Sequence, residues 1–314
     1  MTAPAVGLDP QRVLIAMPGC EAATKRLAIP LRAELGHAAV SHFPDGESYV
    51  RLYTPVRGVE VAIVCTLDHP DEKLLPLLWL AIAARESGAL RVGLIAPYLP
   101  YMRQDVIFNV GEIRAAEHFA GLLNPVFDWL VTVDPHLHRI SHLSNVYRMP
   151  TVAVEAAPAI AAWIQSHVQA PFLIGPDDES RQWVEHVAGI CQAPWAALAK
   201  TRHSAWRVEI AALPHIPPGC VPVLVDDIIS TGRTMLAAAD LLRQAAQPQP
   251  VCIGVHAVFA ADAYSQLCAA SADVVTCDTV QHPSNRIALT GPLADAISRM
   301  FDYPLPSSKQ VLVR

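Results

Sequence analysis

Short runs of consecutive apolar residues alternate along the chain with longer stretches that are rich in alanine and leucine. The runs have the length of β-strands, and the longer stretches have the length and composition of helices. The predicted strands are Arg12–Ala16, Val59–Cys65, Arg91–Ala96, Trp129–Val133, Phe172–Gly175, Pro222–Val225 and Val251–Val258. The predicted helices are Ala22–Leu35, Glu72–Ser87, Ile113–Leu123, Val154–Val168, Ser180–Ile190 and Thr234–Ala246. This alternation indicates an α/β fold with a mostly parallel sheet flanked by helices on both faces.

One strand-to-helix transition, residues 223–234, carries an unusual concentration of polar groups. Asp226 and Asp227 come just past the predicted end of the strand, where open α/β sheets bind their ligands. The loop that follows contains Ser230, Thr231, Gly232 and Thr234. These residues offer hydroxyls and backbone N–H groups to an anion at a helix N-terminus. An ordinary helix cap needs only one such residue, so the series predicts a sugar-phosphate site whose carboxylates face ribose hydroxyls or Mg²⁺.

A faint internal repeat relates the two halves of the chain. Residues 61–74 can be aligned without a gap with residues 223–236, and a helix and another apolar strand follow both copies. The first copy lacks the paired carboxylates and the polar loop. We therefore expect two tandem α/β halves of similar topology, with a sugar-phosphate site in the second half only. The boundary is expected near Met149 and Pro150.

Composition narrows the class of protein. The 314 residues are enough for two domains, and the hydrophobic content of 52% favours a large core. A net charge of −6 argues against a nucleic-acid partner, which selects a basic surface. The seven cysteines show no Cys-x-x-Cys pair, as is typical of free thiols in a reducing compartment. The sequence shows neither a secretory signal nor a membrane-spanning run, so we expect a soluble, cytoplasmic protein without a membrane partner.

Three motifs of the first half resemble those of the PRPP synthetase (ribose-phosphate pyrophosphokinase) family, where PRPP is 5-phosphoribosyl 1-pyrophosphate. They are Phe43-Pro-Asp-Gly-Glu-Ser48, Pro97-Tyr-Leu-Pro-Tyr-Met-Arg-Gln-Asp105 and Val131-Thr-Val-Asp-Pro-His136. The residues that the resemblance implies for binding ATP are Phe43, Asp45, Glu47, Arg103, Gln104 and Asp105. In relatives the first of these loops usually reaches the adenine across a subunit interface. His136 resembles the histidine that binds the magnesium of Mg-ATP.

Three more motifs follow in the order that the family shows. Ile174-Gly-Pro-Asp177 resembles the loop whose aspartate belongs to the second metal and ribose region, and Ala199-Lys-Thr-Arg202 resembles the catalytic Lys-x-Arg. Two cations there suit a reaction in which charge builds up on the transferring phosphoryl oxygens. The residues implied for ribose 5-phosphate are Asp226, Asp227, Ser230, Thr231, Gly232, Arg233 and Thr234. The chain departs from the family pattern at Ser230 and Arg233, in a loop that in the family is most often Asp-Thr-Gly-Gly-Thr. It departs again at the segment 178–180, which has Asp-Glu-Ser where relatives carry small residues.

The resemblance covers nearly the whole chain and implies an enzyme. Two phosphoribosyltransferase-like domains are expected at 1–149 and 150–290, and the segment 291–314 is expected to pack on the first domain. The implied reaction transfers the β,γ-pyrophosphoryl group of Mg-ATP to the 1-hydroxyl of ribose 5-phosphate and yields PRPP and AMP. Lys200 and Arg202 are the implied catalytic residues, Mg²⁺ is the cofactor, and His136 and Asp177 are its ligands. The implied assembly is a homo-oligomer, at least a dimer, with a hexamer as the larger alternative.

The residues leave other interpretations open. A phosphoribosyltransferase uses the same Asp-Asp and Thr-Gly-x-Thr site but needs only one such domain. A non-catalytic homologue that regulates a true synthetase is a second alternative, although it is expected to lose loop cations or metal ligands. Arg233 and the segment 178–180 also permit a synthetase with an altered donor or sugar preference. The cluster of His136, His138 and His142 admits a zinc site, but it has no cysteine partner and no HExxH spacing.

Overall fold

The computed structural model of the chain describes residues 11–137, 139–177, 180–198, 200–204, 207–210 and 213–304, with the backbone alone for 200–204 and 207–210. Within these ranges the chain forms two compact units. The first contains the residues up to Val154 and those from Thr290 onward, and the second contains residues 155–289. The division follows Val154, not the expected Met149–Pro150 boundary, because the strand Thr151–Val154 is the last strand of the first sheet.

The first unit is a parallel sheet flanked by helices. Its elements are β1 (Arg12–Ala16), α1 (Glu21–Leu31), β2 (Glu34–Gly36), β3 (Ala38–His42), β4 (Ser48–Leu52), β5 (Glu60–Val64), α2 (Pro70–Glu86), β6 (Arg91–Ala96), α3 (Ala115–Leu123), β7 (Trp129–Val133) and β8 (Thr151–Val154), together with the C-terminal helix Thr290–Phe301. The sheet has the order β2-β1-β5-β6-β7-β8, and every neighbouring pair is parallel. Strands β5, β6 and β7 are buried along their whole length, which explains their continuous apolar sequences.

The second unit repeats this arrangement. Its elements are α4 (Ala157–His167), β9 (Pro171–Gly175), α5 (Arg181–Cys191), β10 (Trp195–Ala197), β11 (Lys200–Ser204), β12 (Arg207–Ile210), β13 (Val221–Ile229), α6 (Arg233–Gln244), β14 (Val251–Ala257), α7 (Ala263–Ala270), β15 (Asp273–Cys277) and β16 (Asn285–Ile287). The C-terminal helix of the first unit, Thr290–Phe301, is α8. The sheet order is β10-β9-β13-β14-β15-β16, again with parallel neighbours.

The two units share one topology. In each, the first long strand lies second in the sheet, the next strand forms the edge, and an antiparallel hairpin follows that edge strand (β3–β4 and β11–β12). The direction in which strands are added reverses between β1 and β5 and again between β9 and β13, and such switch points are where open parallel sheets bind ligands. The predicted fold class, two tandem α/β units with mostly parallel sheets, is confirmed.

Two predicted elements differ from the observed ones by four residues at one end. The first helix was expected to reach Leu35 but ends at Leu31, because Arg32 has a left-handed conformation with φ 49° and the chain then forms the edge strand β2. Strand β13 was expected to end at Val225 but continues to Ile229. Its neighbour β14 is long enough to pair with it as far as Ala257, and this pairing carries the strand through both carboxylates of the candidate site.

A buried ion pair ties the C-terminal helix to the first sheet. The Arg91 side chain is 5% exposed and its Nε donates to Oε1 of Glu60, 2.8 Å away. The same guanidinium donates to the backbone carbonyls of Phe301 and Tyr303, at the end of α8. Helix ends leave carbonyls without intrahelical partners, so Arg91 satisfies two of them and one oxygen of a buried carboxylate at once.

Removing the Arg91 guanidinium is expected to destabilise the first unit strongly. In Arg91→Met the buried Glu60 carboxylate loses its cation, and breaking one partner of a buried pair costs about 3–5 kcal/mol. A loss of about 3 kcal/mol lowers Tm by roughly 6–12 °C in a unit of this size. Scanning calorimetry measures the shift. Arg91→Met combined with Glu60→Gln should recover part of it, and a wild-type Tm in the single variant would refute the anchoring role.

Candidate active site

The carboxylate pair of the second unit lies where two neighbouring strands separate. Strand β9 pairs with β13 only as far as Ile174 opposite Leu224, whereas β13 continues for five more residues along β14. Asp226 and Asp227 lie in this extension, at the switch point of the second sheet, where β13 no longer pairs with β9. The backbone N–H of Asp227 donates to Oδ1 of Asp226 at 3.0 Å. The expectation that both residues follow the strand is therefore wrong, although both lie at the carboxyl end of the sheet.

A tight loop connects β13 to helix α6. The backbone N–H of Ala260, beyond the end of β14, donates to the carbonyl of Ser230 at 3.1 Å and so fixes the start of the loop. Gly232 is the residue before the helix and has a left-handed conformation with φ 65°. A Cβ at this position would lie 3.1 Å from Cδ1 of Leu267 on α7. The left-handed backbone therefore favours glycine here, and any larger residue would press on Leu267. Gly232 turns the chain so that the first-turn N–H groups of α6 face the carboxyl end of the sheet.

The loop after β9 brings a third carboxylate towards this pair. Asp177 follows Gly175 and Pro176, and Ser180 closes the turn behind it. The Ser180 hydroxyl donates to the Asp177 carbonyl at 2.7 Å, and the Ser180 N–H donates to Asp177 Oδ1 at 3.2 Å. Ser180 is buried and serves the turn. Asp178 and Glu179, the other two residues of the departure from the family pattern, lie outside the described residues.

The electrostatics of these carboxylates favour a cation. Burial raises the pKa of Asp226 well above its ordinary value, and the neighbouring carboxylates of Asp227 and Asp177 raise it further. Within the described ranges, no three His, Cys, Asp or Glu side chains lie close enough to form a metal cage by themselves. Mg²⁺ is usually bound by one or two carboxylates together with water and substrate phosphates. This donor set therefore fits Mg²⁺ that arrives with a phosphorylated substrate.

The raised pKa of Asp226 predicts a cost in stability at neutral pH. A carboxyl group whose pKa is higher in the folded state stabilises that state most below its ordinary pKa. This stabilisation is lost as pH rises through the raised pKa. Without Mg²⁺, Asp226→Asn should therefore have a higher Tm than the wild type at pH 7, with the difference shrinking towards pH 4. Each kcal/mol corresponds to roughly 2–4 °C.

Thermal unfolding in a chelator, measured from pH 4 to pH 8, tests this prediction. Asp240→Asn is a matched control, because Asp240 is an exposed carboxylate on α6. Equal pH profiles for Asp226→Asn and the wild type would contradict the prediction.

In the first unit, two adjacent loops carry the predicted nucleotide residues. Strands β6 and β7 are parallel neighbours, so the loop with Arg103 and Gln104 and the loop with His136 leave the same edge of the sheet. The backbone before His136 is strained, since Asp134 has φ 30°, a region that is uncommon for residues other than glycine. His136 is half-buried. His138 lies outside the described residues.

Tyr101 fixes the start of the loop that follows β6. Its backbone is left-handed, with φ 63°, which is costly for a bulky aromatic residue. Its ring packs on Phe119 of α3, with 4.9 Å between centroids, and its hydroxyl donates to Asp71 in the first turn of α2. This hydrogen bond, together with burial, raises the pKa of Tyr101 to about 12. The sequence motif contains Tyr101, but its link to Asp71 could not be seen from the motif.

The motif at residues 43–48 forms the tip of the β3–β4 hairpin. The N–H of Phe43 donates to the Glu47 carbonyl at 2.8 Å, and the N–H of Glu47 donates to Asp45 Oδ1 at 3.1 Å. Gly46 has φ 94° and completes the turn. The Phe43 ring is half exposed. The turn leaves an aromatic face accessible at the tip.

Lys200 and Arg202 lie on strand β11 of the second hairpin, opposite Ile210 and Val208 of β12. Hairpin β11–β12 occupies the same place in its unit as β3–β4 does in the first. The predicted cations and the predicted adenine contacts therefore belong to equivalent hairpins, the cations to the first strand of one and the adenine contacts to the tip of the other.

The first unit contains an altered counterpart of the sugar-phosphate loop. His69 precedes α2 with a left-handed φ of 51°, as Gly232 precedes α6. The Lys73 ammonium pairs with Asp68 in this loop and donates to the Thr66 carbonyl at 2.9 Å. The loop is thus closed by its own lysine and carboxylate, which supports the expectation of a sugar-phosphate site in the second half only.

The chain has two parallel-sheet units with loops at their switch points, and the second unit carries a carboxylate pair before a loop of the kind that binds phosphate. These features define the phosphoribosyltransferase class of fold. Residues 143–295 match the family model described as the phosphoribosyl transferase domain, and residues 13–125 match the model of the N-terminal domain of ribose phosphate pyrophosphokinase. The chain belongs to the ribose-phosphate pyrophosphokinase family of enzymes.

Curated relatives and a solved structure agree with this placement. The chain is 34% identical to a ribose-phosphate pyrophosphokinase of Methanopyrus kandleri over 88% of its length and 95% of that relative. It is 32% identical to one of Methanothermobacter thermautotrophicus, over 89% of its length and 98% of the relative. The crystal structure of phosphoribosylpyrophosphate synthetase from Mycobacterium smegmatis has the same fold, with a TM-score of 0.83 at 23% identity over 94% of this chain and 100% of that one. None of the described helices has the length and apolar character needed to cross a membrane.

Proposed function

We propose that the chain transfers the β,γ-pyrophosphoryl group of ATP to the 1-hydroxyl of ribose 5-phosphate, giving PRPP and AMP. The observation that carries the proposal is the convergence of Asp226, Asp227 and the Gly232 loop at the switch point of the second sheet, in a chain of this family. The hydroxyl oxygen bonds to the β-phosphorus, the bond from that phosphorus to the α,β-bridging oxygen breaks, and AMP leaves with the bridging oxygen. The hydroxyl proton is released to solvent.

The second unit holds the sugar phosphate in this proposal. The residues that bind the 5-phosphate are Ser230, Thr231, Gly232, Arg233 and Thr234. Arg233 is the first residue of α6 and adds a cation to the helix N-terminus. Asp226 and Asp227 bind the ribose hydroxyls. The arrangement suits a sugar phosphate because an anion site and hydrogen-bond acceptors for hydroxyls lie within one short segment.

The first unit seats ATP in this proposal. Phe43, Asp45 and Glu47 lie at a hairpin tip whose exposed aromatic ring suits an adenine. Arg103 presents a planar fork of donors to the polyphosphate, and Gln104 pairs with an adenine edge or a phosphate oxygen. Asp105 belongs to the same loop. An adenine contact from a neighbouring subunit requires a homo-oligomer of at least two subunits, with a hexamer as the larger alternative.

Mg²⁺ is the proposed cofactor, with His136 and Asp177 among its ligands. When bound it neutralises phosphate charge and favours the ionised form of the attacking hydroxyl. The raised pKa of Asp226 beside Asp227 and Asp177 supports a cation near the ribose. No side chain is assigned as general base. Positioning and neutralisation of charge supply most of the rate in such transfers, and Lys200 and Arg202 contribute by neutralising the transferring group.

The cytoplasm is the proposed location, since ATP and sugar phosphates are available there. A phosphoribosyltransferase requires a single domain of this class, whereas both units of this chain match family models. A regulatory homologue is expected to lose loop cations, whereas this chain retains Lys200 and Arg202.

Product analysis separates these functions. Purified protein with Mg²⁺, ATP and ribose 5-phosphate should form AMP and PRPP in equal amounts, resolved by ion-exchange chromatography. With PRPP and a nucleobase in place of ATP and ribose 5-phosphate, no nucleotide should form. Nucleotide formation from PRPP would reject the proposal in favour of a phosphoribosyltransferase, and an inert protein that still binds ATP would indicate the regulatory homologue.

A further inference from the structure

One ion pair joins the two loops that carry the nucleotide residues of the first unit. Arg139, three residues after His136, donates from Nη1 to Oδ1 of Asp105 at 2.9 Å. Asp105 directly follows Arg103 and Gln104. The contact spans 34 positions of sequence and bridges the loops after β6 and β7. Neither residue of the pair owes its position to a helix or a strand, so the contact itself restrains both loops.

The two side chains differ sharply in exposure. The Arg139 side chain is 45% exposed, whereas the Asp105 side chain is 3% exposed. Exposed ion pairs contribute little, but a buried carboxylate that loses its cation is left uncompensated. Among the described residues, Arg139 is the cation paired with this buried carboxylate. The guanidinium also lies 5.7 Å from the ring centroid of Phe108, farther along the same loop, which adds a second contact between the loops.

The direction of the Asp105 carboxylate bears on its role. A carboxylate that faced the triphosphate would repel it, whereas the pairing with Arg139 neutralises Asp105 inside the loop. The neighbours Arg103 and Gln104 carry the donors that suit a polyphosphate. Asp105 thus fits the role of an anchor for these two residues.

We propose that Arg139 is a positioning residue that, through Asp105, holds the Arg103–Gln104 loop at a fixed distance from His136 so that both loops meet one bound Mg-ATP. The proposal rests on the nucleotide roles assigned to these loops under the proposed function. Tyr101 anchors the other end of the first loop to α2 and α3. Because that anchor does not involve the His136 loop, Tyr101→Phe provides a comparison in which only one loop is loosened.

Kinetics of Arg139→Gln, Asp105→Asn and the double variant test the proposal. A displacement of about 1 Å in a catalytic group costs up to about 100-fold in rate, so we expect a 10- to 100-fold fall in kcat/KM for Mg-ATP and an unchanged KM for ribose 5-phosphate. The double variant should be no more impaired than Arg139→Gln, because all three variants remove one interaction and Asp105→Asn also removes the carboxylate that Arg139→Gln leaves unpaired. Arg139→Lys should restore part of the activity. Effects that multiply in the double variant, or an unchanged kcat/KM in Arg139→Gln, would overturn the proposal.

A control and a second readout separate this proposal from the assigned function. Arg114→Gln removes an arginine of similar exposure, 51%, whose partner Glu117 is itself 48% exposed, and it should leave the kinetics unchanged. Hydrogen exchange of residues 103–112 and 136–142 reports the link without any turnover. Arg139→Gln should speed exchange in both loops, and Tyr101→Phe in the first loop only. Unchanged exchange in the His136 loop of Arg139→Gln rejects the link even if the wild type proves inactive with ATP.

Discussion

Replacement of Lys200 by alanine is expected to lower kcat by about 10²–10³-fold, the range found when one preorganised group that stabilises transition-state charge is removed. In pyrophosphoryl transfer, negative charge moves onto the phosphoryl oxygens and the departing AMP oxygen. Lys200 and Arg202 lie two residues apart on β11, so loss of one cation leaves its neighbour to act alone. The KM values for ATP and ribose 5-phosphate should change much less, because the contribution arises mainly in the transition state.

Single-turnover measurements at saturating substrates isolate this step. Lys200→Arg should retain more activity than Lys200→Ala, because it keeps the charge. Lys25→Ala is the matched control, since Lys25 lies exposed on α1 in the first unit, and it should behave like the wild type. An unchanged kcat in Lys200→Ala would show that the β11 cations have no role in the proposed mechanism.

Replacement of Gly232 by valine is expected to abolish binding of ribose 5-phosphate, with a loss of at least 100-fold in affinity. The left-handed backbone at φ 65° disfavours any L residue by roughly 1–2 kcal/mol, and more if it is β-branched. The new Cβ would also press on Leu267, 3.1 Å away. The loop must then rearrange, and the backbone N–H groups at the start of α6 lose the arrangement that a phosphate requires.

Isothermal titration with ribose 5-phosphate measures this loss. Gly219→Val is the matched control, because Gly219 also has a positive φ, 84°, but its Cβ would meet no atom within 4 Å. Gly219 precedes β13 in the second unit. The Gly219→Val variant should lose stability without losing affinity for the sugar phosphate. Equal affinity in Gly232→Val and the wild type would mean that the phosphate binds elsewhere.

The two sheets follow from the sequence because fully buried parallel strands must be apolar on both faces. Strands β6 and β7 were predicted with their observed bounds for this reason. The end of β13 was not predicted, because its last residues include two aspartates and the strand extends this far only because β14 continues beside it. The edge strand β2 was assigned to a helix, because the left-handed conformation of Arg32 leaves no sequence signal such as glycine.

The sequence predicts those parts of the candidate site whose residues lie close together in the chain. Asp226, Asp227 and Gly232 lie within seven consecutive residues, so strand, loop and helix place them together without reference to the rest of the fold. Long-range contacts are different. The ion pair of Arg139 with Asp105 depends on the adjacency of β6 and β7. No local pattern marks Arg139 as more than one of several exposed cations.

The most direct test of the account is the fate of the β-phosphorus of ATP. With ATP carrying ³²P at the β position, Mg²⁺ and ribose 5-phosphate, pyrophosphoryl transfer places all the transferred label in PRPP and leaves AMP unlabelled, one AMP for each PRPP. Label retained in ADP, together with a sugar bisphosphate without label, would show that only the γ-phosphoryl group moves and would contradict the proposed reaction.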